Sequence, residues 1–87
     1  MNQGTVTAPQ LAHLRAAEAG DLVANWHNPA VPIRRWVRAG AKASKVVCEA
    51  LLDQGRIRLA PQPQQAVIYA AELTDAGRAA LAAAGGA

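Results

Sequence analysis

Five cations and no acid stand in the twelve-residue stretch RRWVRAGAKASK, Arg34 to Lys45. Guanidinium and ammonium groups at this density recruit phosphates or carboxylates, so the chemistry on offer is anion binding. Other chemistry is sparse. The six carboxylates are scattered and Ser44 has no histidine near it in sequence, which predicts no catalytic centre and no enzyme. A phosphate loop around Gly40 would need glycine at position 35 and lysine at 41, where the chain has Arg35 and Ala41. His13, His27 and Cys48 are conceivable zinc ligands without close ligand spacing, so neither a metal site nor any other cofactor is expected.

The charge is unevenly spread. Residues 34–58 hold seven cations (Arg34, Arg35, Arg38, Lys42, Lys45, Arg56, Arg58) against Glu49 and Asp53, while the remainder of the chain is net acidic. Such a field favours an anionic partner, nucleic acid first; the alternative is a basic patch that serves solubility. Cys48, as the only cysteine, excludes an internal disulfide and fits a cytoplasmic protein. The start MNQGTVTAPQ has neither a cationic end nor an apolar run, and no uncharged stretch approaches membrane-spanning length, so no membrane association is expected.

These residues need elements to position them. With 87 residues, one domain with one core is expected, residues 1–6 and 85–87 fraying. Of the hydrophobic residues 22 are alanine, so that core must be small and closely packed. A first helix is predicted over 8–19: Thr7 as N-cap, Gln10 as its capping-box partner, Pro9 in the first turn, Val6 and Leu11 as a hydrophobic staple, and Gly20 as a left-handed terminator. Leu22 to Trp26 reads as a short strand before Asn28-Pro29 and Pro32. Residues 33–39 fit either element; the i, i+3, i+4 spacing of Ile33, Trp36 and Val37 favours a short helix with Arg34, Arg35 and Arg38 outward. A helix over about 42–54 buries Val47, Cys48, Leu51 and Leu52 and ends at Gly55. RIRLA and AVIYAAEL are β-patterned runs joined by the polar tip PQPQQ, and Thr74 caps a final alanine-rich helix.

From Gly40 onward the order is turn, helix ending ALLDQGRI, two strands with a polar tip, then LTDAGRAAL. This order, with Ala50-Leu51 before Gly55 and Ile57 and a Leu-Thr-x-x-Gly-x-x-x-Leu run through Leu73, Thr74, Gly77 and Leu81, resembles the winged helix-turn-helix domains of small bacterial and phage transcription regulators of the MarR and PadR type. The resemblance covers about half the chain. It implies an α+β fold of three or four short helices with a small antiparallel hairpin as the wing, a recognition helix at about 42–54 and a wing at about 56–73. In place of the family's second helix, however, the chain has a Pro-broken, strand-like interval.

The resemblance implies sequence-specific binding of double-stranded DNA by a repressor-like regulator. Arg34, Arg35 and Arg38 would clamp phosphates, Lys42, Ser44 and Lys45 would lie nearest base edges, and Glu49 could accept from cytosine. Arg56, Arg58 and the glutamines Gln62, Gln64 and Gln65 would reach the backbone or minor groove from the wing. Neutralising about four to six phosphates implies a log–log salt slope of roughly −4 to −5. Against this stand plainer roles: arginines solvating a helix face, Glu49 at the surface, glutamines at a soluble tip. Trp26, Trp36 and Tyr69 are expected in the core, being the only large aromatics. Half-site geometry suggests a homodimer, for which the C-terminal helix is a candidate surface, although that helix could equally close the monomer's core. The competing function is a winged-helix module or inhibitor that docks on an acidic partner protein.

Overall fold

The computed structural model describes residues 6–31, 33–63 and 65–85. The order is α1 (Ala8–Ala19), β1 (Leu22–Asn25), β2 (Arg35–Arg38), β3 (Ala41–Lys42), α2 (Lys45–Asp53), β4 (Ile57–Gln62), β5 (Gln65–Leu73) and α3 (Asp75–Gly85). The α+β class is as expected; among the described residues three helices accompany one antiparallel sheet of five strands, larger than the expected hairpin and ordered β3-β2-β1-β5-β4. No helix among the described residues is long and apolar enough to cross a membrane.

Helix α1 forms where its caps place it. Thr7 and Gln10 complete the capping box, and Gly20 adopts φ 81°, donating its N–H to the carbonyls of Ala16 and Ala17. Only glycine takes that left-handed turn without strain. Val6 packs against the core, while residues 1–5 and 86–87 of the expected frayed ends lie outside the described residues.

The short helix expected over 33–39 is instead strand β2. Ile33 is 69% exposed and Trp36 2%, so no buried i, i+3, i+4 stripe exists there. Pairing with β1 decides the outcome, since it sets Val37 against Val23 and Trp36 against Ala24. The chain then reverses through Ala39 (φ 51°) and Gly40 (φ 80°), the two positive-φ positions of a tight hairpin, into β3. Consequently α2 begins at Lys45 rather than 42. Ser44 is its N-cap, accepting from the Val47 N–H, and Lys42 belongs to β3.

One face of the sheet carries the core. Its six buried residues, Leu22, Ala24, Trp36, Ile57, Ala71 and Leu73, alternate along the strands and sit together in register, and Leu14, Ala17, Cys48, Leu51 and Ala80 of the helices join them in one cluster. On the opposite face Val23, Asn25, Val37, Ile68 and Ala70 are only half-buried. The expected strands at 56–73 form the β4–β5 hairpin, with a register shift at Pro61/Gln62. Gly77 has a packing reason in this arrangement: a Cβ there would lie 1.9 Å from the Arg56 carbonyl oxygen, so only glycine lets α3 approach β4. Thr74 locks the same corner, its hydroxyl donating to the Gly55 carbonyl and accepting from the Gly77 N–H.

Candidate nucleic-acid interface

Alternation along β2 separates the cations of the basic stretch. Arg38 shares the helix-facing side with Trp36, and Arg34, just before the strand, points the same way; Arg35 points to the outer side. Lys42 lies opposite Val37 in the β2–β3 register, which puts it on the outer side with Arg35. Lys45 begins α2 and is exposed, and Ser44 is occupied as its cap. In place of the outward helix face expected for Arg34, Arg35 and Arg38, the cations form two groups on opposite sides of a sheet edge.

Arg34 is withdrawn from any surface role. Its Nε donates to Glu49 Oε2 at 2.9 Å and its Nη2 to Oε1 at 2.6 Å, and its side chain is only 9% exposed. The Trp36 indole N–H donates to Glu49 Oε2 as well, at 2.8 Å. The guanidinium also lies 4.6 Å from the centre of the Trp26 ring, which is tilted against Tyr69 at 5.2 Å. The bidentate bond to Arg34 and the Trp36 donor hold the Glu49 carboxyl below its usual range, against the opposing effect of burial, and the same bond raises Arg34 further. Glu49, read from sequence as an outward residue, is therefore the centre of a polar knot that ties the β1–β2 connection to α2.

Histidine 13 makes a second link that its sequence position did not reveal. It is 5% exposed, and its Nδ1 lies 2.7 Å from the Pro9 carbonyl while Nε2 accepts the Ser44 N–H at 3.3 Å. A carbonyl on one side and an N–H on the other select the tautomer with its proton on Nδ1. Its place beside Leu14 on the buried stripe of α1 was the available signal. Cys48 is buried, as its helical position predicted, and burial, the largest cause, pushes its thiol up to about 12 even though Arg38 acts in the opposite sense.

The wing residues contribute less charge than their types suggest. Arg58 Nε donates to Glu72 Oε1 at 3.0 Å, a direct cross-strand pair on the outer face. Both side chains are well exposed, so the pair stabilises little but still cancels a charge. Arg56 is half-buried, with Nη1 buried and unpartnered among the described residues, and Gln62 turns back to the Ala60 carbonyl. Gln64 lies outside the described residues.

At the β2–β3 edge a groove of about 340 Å³ is lined by Arg35, Trp36, Val37, Gly40, Ala41 and Lys42. Among the described residues no three histidine, cysteine or carboxylate side chains gather as a metal site would require. No protein-family model matches the chain, and no curated protein or solved structure matches it significantly.

Proposed function

We propose that the chain binds double-stranded DNA through the segment from Arg35 to Lys45, as a small transcription regulator. In this reading the fold is a winged-helix variant in which the β2–β3 hairpin occupies the place of the family's second helix. One observation carries it: Arg35, Arg38, Lys42 and Lys45 are consecutive in the series of cations and none forms a salt bridge among the described residues, whereas Arg34, Arg58 and Arg78 each do. Unspent positive charge concentrated on a sheet edge and a helix start is what a phosphate backbone attracts.

Helix α2 supports the reading from its N-terminal end only. Ser44 caps the Val47 N–H, which leaves the first-turn amides of Lys45 and Val46 open to an anion. A lysine at this end opposes the helix dipole at a cost of a few tenths of a kcal/mol, and an external phosphate would reverse that sign. Farther along, the Glu49 carboxylate already accepts from three donors and Asp53 is exposed, so base reading falls to Lys45 and Val46 at the start of the helix rather than to the whole helix. A homodimer through α3 would use the exposed alanines Ala82–Ala84, because Ala80 and Leu81 pack in the monomer's own core.

Fluorescence anisotropy against random duplex and against DNA from upstream of the gene tests this. Four cations imply a salt slope of about −3.6, or a loss of about 150-fold in affinity between 50 and 200 mM salt. Tighter binding to one sequence than to random duplex is expected of a regulator. Salt-sensitive binding with no sequence preference at all would transfer the basic segment to an acidic protein partner.

A further inference from the structure

We propose that the groove between Arg35 and Lys42 on the outer side of the sheet edge seats one phosphate group, and that the group is a phosphodiester of the duplex backbone. The identity of that source rests on the reading above; the seat itself rests on geometry. Arg35 and Lys42 occupy the same side of β2–β3, and the groove of about 340 Å³ between them has no carboxylate among its lining residues. That volume exceeds a phosphate group with part of its hydration and leaves room for the flanking sugar.

Ala43 donates its N–H to the Trp36 carbonyl, and strand alternation therefore turns the Lys42 N–H away from β2, toward the open edge. β3 is the last strand of the sheet, so among the described residues this N–H has no neighbouring strand to bond. Lys42 thus presents its ammonium at one rim of the groove, opposite a guanidinium that can grip two phosphate oxygens, while its amide faces the open edge. The Ala39–Gly40 reversal holds the rims at fixed spacing, its turn anchored by the Ala39 N–H bonded to the Asp21 carbonyl at 2.8 Å. Arg38 and Lys45, on the helix side, would contact a different phosphate.

The test uses the full chain labelled for amide NMR, titrated with inorganic phosphate and separately with a short duplex. Both ligands should shift the amides of Gly40, Ala41 and Lys42. The double variant Arg35→Gln/Lys42→Gln, altered only at exposed positions, should lose the phosphate shifts and flatten the salt slope for duplex by about 1.8, half its value. Arg38→Gln/Lys45→Gln should flatten it equally while leaving the phosphate shifts in place. Phosphate shifts that persist in Arg35→Gln/Lys42→Gln, or that map to other amides, overturn the seat. Duplex binding with an unchanged slope in that variant overturns it too and leaves the DNA reading standing. Groove shifts with phosphate but no duplex affinity keep the seat and overturn its backbone occupant.

Discussion

Replacing Glu49 with glutamine is expected to destabilise the fold well beyond a surface substitution. The isosteric amide removes one negative charge from a site where the Arg34 side chain is 9% exposed and the Glu49 side chain 24%. Breaking a fully buried pair costs about 3–5 kcal/mol because one charge is left uncompensated. Here Arg34 retains its contact with Trp26 and some access to water, and an amide oxygen can still accept from Trp36, so about 2–3 kcal/mol is expected. With an unfolding entropy of about 2.1 cal/mol/K per residue over 87 residues, that corresponds to a fall in Tm of about 11–16 °C. Thermal and urea unfolding, followed by circular dichroism at neutral pH, measure it directly.

The pH dependence carries the sign. Glu49 is depressed in the folded state, so its contribution is fully present above its ordinary value of 4.5 and is lost as pH falls through the lower folded value. Wild type and Glu49→Gln should therefore begin to converge in stability as pH falls below about 4.5, and meet only once pH is below the depressed folded value. A cycle with Arg34→Met completes the measurement, and replacing both partners should cost much less than the sum of the single changes. Additive costs, with a coupling below about 0.5 kcal/mol, would show that the knot does not act as a unit.

Other expectations follow from single residues. Gly77→Ala forces a Cβ against the Arg56 carbonyl and should cost over about 2 kcal/mol in urea unfolding, because backbone must move. Ala39→Gly should stabilise by about 0.5–1 kcal/mol, since Ala39 holds φ 51° without the freedom of glycine. Cys48, raised to about 12, should resist alkylation at pH 8 until the chain unfolds; its share of stability is complete below the unfolded value of 9.0 and declines as pH rises above it. For His13, nitrogen NMR should find the proton on Nδ1, and a proton on Nε2 at neutral pH would break the proposed link to Ser44.

Local chemistry made much of this fold legible. The limits of α1 follow from Thr7, Gln10 and Gly20, groups that satisfy or release backbone bonds within four residues of themselves. The β4–β5 hairpin announced itself by two alternating runs, although Pro61, Gln62 and Gln65 of the expected tip belong to its strands, and Thr74 marked the start of α3. Residues 33–39 were not legible in the same way, because Ile33, Trp36 and Val37 satisfy helical spacing while Arg35 and Val37 satisfy strand spacing. Only the presence of β1 as a neighbour, offering backbone partners and a half-buried Val23, breaks that tie.

The candidate site divides along the same line. Composition and order determined that a basic segment precedes a short amphipathic helix and a hairpin, since charge and apolar period are properties of the chain itself. Which of those charges remain available is a matter of tertiary structure. Arg34 and Glu49 are fifteen residues apart and meet only because β2 packs beneath α2, and strand alternation sends Arg35 and Arg38 to opposite sides. Charge is local to a residue, whereas its partner and the direction it faces are fixed by contacts between elements, and those exist only once the chain has folded.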